Sequence, residues 1–208
     1  MPRPPERNLL EATLQNIEVA VDAATANDVI ASIPVIGTAF KVCKAIDDIR
    51  ARAFAAKLNG FVAEPGLSSP AAKAALAQKL RDSPDEARKV GETLFLVLDR
   101  FIDLDKPAIL AKVFVAYLDN VVTARDLQRL AQSIDIAFAE DLKALIDAEG
   151  SCILGNTAED AYAPWRKMLL PSGLTINNAR GFTVVRTSYD VTPLGQLLWK
   201  AFHLVENT

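Results

Sequence analysis

Residues 83–101 read Ser-Pro-Asp-Glu-Ala-Arg-Lys-Val-Gly-Glu-Thr-Leu-Phe-Leu-Val-Leu-Asp-Arg-Phe, and their pattern decides the fold class. Ser83 is a capping residue type. Pro84 suits the first helical turn, where the N–H it lacks would have no partner, and Glu86 completes a capping box. Val90, Leu94, Val97, Leu98 and Phe101 then recur at helical spacing, which predicts one buried stripe along one helix.

The same pattern extends in both directions. Downstream, Asp105-Lys106-Pro107 breaks the chain and starts another helix, in which Ile109/Leu110, Val113/Phe114 and Tyr117/Leu118 recur every four residues. Asn120 is a natural end for it. Leu127, Leu130, Ile134, Phe138, Leu142 and Leu145 keep one phase and predict a single long helix closed by Gly150. Upstream, Ser69-Pro70 opens an alanine-rich helix ending near Asp82, and Glu64-Pro65-Gly66 is a stop. Phe54, Leu58 and Phe61 continue a stripe begun by Phe40, Cys43, Ile46 and Ile49. Before these, Pro34 separates it from a helix carrying Leu9, Leu10, Leu14, Ile17 and Val21.

The character changes after Gly150. Thr157 is placed to cap a helix covering Trp165, Met168 and Leu169, and Pro171-Ser172-Gly173 ends it. Residues 174–176 and 182–191 are rich in β-branched and aromatic types, with Asn177-Asn178-Ala179-Arg180-Gly181 between them. This predicts one hairpin. Thr192-Pro193 then caps a last helix with Leu194, Leu197, Leu198 and Phe202 on or near one face. That face is expected to pack on the 126–147 helix, leaving Trp199 only partly buried. The fold class expected is mainly α: a helical bundle over 1–122, then a small unit over 123–208 containing one β-hairpin.

Composition narrows the function. Half of the 208 residues are hydrophobic, enough for a sizeable core and too many for a disordered chain. The formal net charge of -3 excludes a globally basic nucleic-acid coat protein, and two cysteines do not make a disulfide scaffold. A single histidine, His203, excludes a histidine-rich metal centre. The charged, proline-rich start carries no apolar signal core. The uncharged run from Val29 to Phe40 falls short of the roughly 20 residues of a membrane span. The compartment expected is therefore cytoplasmic, with reduced thiols. No P-loop, dinucleotide glycine motif or zinc-ligand cluster is present, so neither an enzyme nor a cofactor is expected.

Two stretches, Leu169 to Leu174 (LLPSGL) and Tyr189 to Gly195 (YDVTPLG), carry a resemblance. A helix ending in the first, then a hairpin, then the second leading into a helix, resembles a winged-helix domain, over about residues 123 to 208. In bacterial winged-helix regulators the first stretch ends the recognition helix, and the second leaves the wing and caps the last helix. The resemblance implies contact with DNA or a protein partner, with the bundle supplying dimerisation or sensing. One departure stands out: only Ser151 to Leu170 is left for the two short helices that precede a wing, and one fits there more easily than two. The segment Ile33-Pro34-Val35-Ile36-Gly37, with Lys41 and Asp48-Ile49-Arg50, is similar to helical bacterial proteins from which no activity carries over.

Charge supports a nucleic-acid reading. Residues 161–189 hold Arg166, Lys167, Arg180 and Arg186 and no Asp or Glu, a local net of +4. A basic wing tip with Asn177, Asn178 and Arg180 has the chemistry to meet phosphate and a minor groove; a solvated hairpin decorated with cations is the plainer explanation. The alternative function is a membrane-acting effector, toxin-like or defensive, inserting the apolar helix through Ile33, Val35, Ile36 and Phe40; a core helix is the plainer reading there. Asp99 and Asp103, spaced as on one helix face, and Asp105 lack the further ligands a metal site needs. Cys152, in a loop after Ser151, would require a base to act as a nucleophile, and only His203 is an imidazole. No catalytic residue is assigned.

Overall fold

The computed structural model describes residues 33, 49–155, 163–178 and 188–203. The protein is mainly α, with one two-stranded antiparallel hairpin near the C-terminus among the described residues. It divides into two compact units, Met1–Ala108 and Ile109–Thr208.

Within the first unit lie α1 (Ile49–Val62), a 3₁₀ turn (Pro65–Ser68), α2 (Pro70–Asp82) and α3 (Pro84–Arg100). The stop at Glu64-Pro65-Gly66 is the 3₁₀ turn. Ser69 caps α2 by accepting the Ala72 N–H at 3.0 Å. Val90, Leu94, Val97, Leu98 and Phe101 are all buried, as the stripe requires. Phe54, Leu58 and Phe61 of α1 are buried too, and α1 packs on α3. Phe54 meets Phe95 edge-on at 5.3 Å, and Lys57 Nζ donates to the Asp99 carbonyl at 2.6 Å.

Two expectations for α3 need correction. Ser83 makes no side-chain cap; its N–H instead closes α2 on the Lys79 carbonyl, and its own carbonyl accepts Ala87 N–H. One residue between two helices serves both through its backbone. Asp103 does not share a helix face with Asp99, because α3 ends at Arg100. Its carboxylate caps the connection by accepting the Asp105 N–H at 2.8 Å.

Helix α4 (Lys106–Leu118) runs across the division, and the residues from Ile109 to Leu118 are buried on nearly every face. Asn120 ends it in the left-handed region, with φ 60, and Val121 N–H reaches back to the Ala116 carbonyl. Asparagine tolerates that conformation because its short polar side chain relieves the steric cost.

The helix expected over 126–147 is two: α5 (Ala124–Ile136) and α6 (Ala139–Asp147). Ala137 and Phe138 between them are extended, at ψ 153 and 143. Neither proline nor glycine marks the break. The turn keeps Ala137, Ala139, Leu142 and Leu145 buried while Phe138 points outward. The Glu140 and Asp141 pair in the first turn of α6 is the N-terminal signal that marks it in the sequence. Burial and neighbouring Glu140 raise the Asp141 carboxyl above its ordinary range.

Gly150 likewise opens a helix instead of closing one. Helix α7 (Gly150–Gly155) and α8 (Pro164–Met168) both fit before the hairpin, followed by a 3₁₀ turn (Leu170–Ser172). Cys152 therefore sits buried on α7, not in a loop. The hairpin is β1 (Thr175–Asn177) with β2 (Tyr189–Val191), in register Thr175–Val191, Ile176–Asp190 and Asn177–Tyr189. Helix α9 (Pro193–His203) closes the described chain and packs on both α5 and α6.

Thr192 caps α9 as expected: its Oγ1 accepts the Gly195 N–H at 3.2 Å. The inward stripe is Gly195, Leu198 and Ala201; Leu194, Leu197 and Phe202 flank it, half-buried. Trp199 is half-buried and donates from Nε1 to the Ala148 carbonyl at 3.0 Å. Removing the Thr192 cap is expected to cost about 0.5–2 kcal/mol, whereas Leu198→Ala, at a fully buried site, should cost about 2 kcal/mol or more. Hydrogen exchange over 174–203 in the two variants checks this: Leu198→Ala should lose more protection than Thr192→Ala.

Among the described residues no helix is long and apolar enough to cross a membrane. Ile33 is buried. Val35, Ile36, Phe40, Cys43 and the capping residue Thr157 lie outside the described residues.

Candidate recognition surface

The hairpin is clamped to the helices by polar bonds, and Arg166 is their centre. Its side chain is 0% exposed. Nη1 donates to the Tyr189 carbonyl and Nη2 to the Cys152 carbonyl, both at 3.0 Å, and the guanidinium lies 5.0 Å from the Trp165 ring centre. The Arg166 carbonyl accepts the Thr175 hydroxyl at 2.6 Å. One residue of α8 thus ties α7, β1 and β2 together. A guanidinium has the fork of donors to do this, and a buried one needs such partners to offset its desolvation.

A second set of bonds fixes the turn into β1. Ser133 of α5 donates to the Ser172 carbonyl, and Ser172 donates to the Leu169 carbonyl, each at 2.7 Å. Gly173 follows at φ 73, a conformation glycine adopts without a Cβ penalty. Next, the Leu174 carbonyl accepts both the Thr192 N–H at 2.9 Å and the Thr192 hydroxyl at 3.1 Å. The LLPSGL and YDVTPLG stretches therefore meet at Leu174 and Thr192.

The residues expected to contact nucleic acid fall into four groups. Lys167 and Asn177 are exposed. Arg166 is interior, and its guanidinium faces backbone carbonyls instead of solvent. Asn178 is half-buried and extends the hairpin: its N–H donates to the Ser188 carbonyl, and its Nδ2 donates to the Asp190 carboxylate. Arg180 and Arg186 lie outside the described residues. Sequence reasoning missed the apolar part of this surface. Met168, Leu170 and Ile176 are exposed beside Lys167 and Asn177 in sequence.

A cleft of about 520 Å³ opens between α5 and α9. Pro193, Leu194 and Leu197 supply its apolar lining, and Arg129, Lys200 and Asp126 its charges. Asp126 accepts the Thr123 hydroxyl at 2.8 Å and lies 3.9 Å from Arg129. His203 stacks on Trp199 at 4.1 Å, and its Nδ1 is 2.9 Å from the Trp199 carbonyl. Among the described residues, no group of three or more His, Cys, Asp or Glu side chains is placed to hold a metal ion. Compared with known proteins, the chain matches no family model, no curated protein and no solved structure.

Proposed function

We propose that this chain is a non-enzymatic binding protein whose C-terminal unit is a winged-helix-like module that engages a protein partner through α8 and the hairpin. The order α5, α6, α7, α8, hairpin, α9 supports the winged-helix reading. The observation that carries the choice of partner is the burial of Arg166 beside exposed Met168 and Leu170. Helix α8 turns Arg166 inward and Met168 outward beside Lys167, and the 3₁₀ turn after it adds exposed Leu170. That chemistry suits a protein surface better than a phosphate backbone. Helix α8 is also only five residues long, about 7–8 Å at 1.5 Å per residue, short for reading a major groove about 12 Å wide.

DNA is the second reading, favoured by the net +4 of residues 161–189. Fluorescence anisotropy with duplex DNA at two salt concentrations separates the two. The protein-partner reading predicts no salt-sensitive binding at low ionic strength. Tight binding that weakens steeply with salt, and is lost in Arg180→Ala plus Arg186→Ala, would establish DNA instead.

A further inference from the structure

Two exposed surfaces among the described residues have matching chemistry. The first is the connection between α3 and α4. Phe101 anchors it inward, but Ile102 is 98% exposed and Leu104 60%. Exposed Asp103 and Asp105 alternate with them. Single exposed apolar residues are ordinary, but Ile102 is the most exposed large apolar side chain among the described residues. The second is the α5–α9 cleft, with an apolar lining of Pro193, Leu194 and Leu197 between Arg129 and Lys200. Asp126 also lines it, already engaged by Thr123 and near Arg129, so the cleft keeps a cationic balance.

We infer that the chain self-associates head to tail, the Ile102–Asp105 loop of one copy seating in the α5–α9 cleft of the next. Ile102 and Leu104 would cover the cleft's leucines, while Asp103 and Asp105 would meet Arg129 and Lys200. The occupant is a second copy because charge and apolar content are complementary between these two surfaces of the same chain. Such a contact is heterologous, so one end of the assembly keeps an unfilled loop and the other an unfilled cleft, and the assembly grows unless its rotation closes a ring. The contact is small beside the roughly 1,200 Å² of a stable interface, so association is expected only at high protein concentration. This inference is independent of the partner-binding reading above.

Sedimentation velocity of the full chain over a concentration series provides the test. The wild type should shift from monomer toward larger species as concentration rises, and less so in high salt. Asp103→Lys plus Asp105→Lys, and separately Arg129→Glu plus Lys200→Glu, should each remain monomeric with an unchanged helical circular dichroism spectrum. All four sites lie on the surface or at its edge; Asp103→Asn plus Asp105→Asn, which keeps an acceptor for the Asp105 N–H, gives a second loop variant that should also remain monomeric. An equimolar mixture of the two charge-reversed variants provides the decisive readout. The loop variant still has a native cleft and the cleft variant a native loop, so the mixture should form a dimer that grows no further. A wild type that stays monomeric at every concentration, or loop and cleft variants that associate as the wild type does, would overturn the inference. So would a mixture that forms no dimer.

Discussion

Arg166→Ala is expected to destabilise the C-terminal unit by about 5 kcal/mol. The substitution removes the donor now shared by the Cys152 and Tyr189 carbonyls, a loss of about 1–3 kcal/mol for each carbonyl left unsatisfied. It also empties the space of a long, fully buried side chain, worth a further ~2–5 kcal/mol. A loss of this size approaches the whole stability of a small domain. Arg166→Met should be milder, because it refills the volume and removes the cost of burying a charge. Equilibrium urea unfolding of the two variants checks the order. A surface cation used only for phosphate contact would behave differently: both substitutions would change stability by less than about 0.5 kcal/mol.

Gly195→Ala is expected to cost about 3 kcal/mol or more, although alanine is the better helix former by about 1 kcal/mol. A Cβ at this position would lie 2.3 Å from the Leu174 carbonyl oxygen and 2.7 Å from Val191 Cγ1. Neither neighbour yields cheaply. The Leu174 oxygen is held by the N–H and hydroxyl of Thr192, and Val191 belongs to β2 and is buried. The helix must back away from the hairpin, at the upper end of overpacking costs. Thermal denaturation of the C-terminal unit, Ile109–Thr208, should show a fall of about 12 °C or more. Gly173→Ala gives a control: no atom lies within 4 Å of that Cβ, so any cost there comes from φ 73 alone.

These two residues show where the sequence is legible. Helices α2, α3 and α4 are readable because each boundary carries local chemistry, a serine cap, a proline at the first turn or an asparagine at the end. Each interior also carries a period that packing respects. The break at Ala137 and Phe138 is not readable from periodicity, since Leu127 to Leu145 stay in phase straight through it; only the acidic pair Glu140 and Asp141 hints at a second helix start. Arg166 counts as a surface cation in any tally of charge, because its partners are backbone carbonyls that the chain supplies only after folding. Its spacing offered one clue. Arg166 and Leu169 lie three apart on the side that faces inward. Gly195 is part of the stretch that suggested a winged helix, yet its need for no side chain comes from the approach of Leu174, which is distant in sequence. The apolar exposure of Met168, Leu170 and Ile176 was hidden for a similar reason. A hydrophobic residue near a hairpin reads as core until the packing shows which face is already filled.

The hairpin is held on the helices as one unit through Arg166 and α9. Amide hydrogen exchange over residues 163–203, in the wild type and in Gly195→Ala, tests it most directly. Slow exchange is expected at Asn178, Thr192 and the amides of α9 in the wild type. That protection should be lost together in the variant, while α3 keeps its own. Free exchange at 175–178 and 188–192 in the wild type, or protection there that survives Gly195→Ala unchanged, would contradict this.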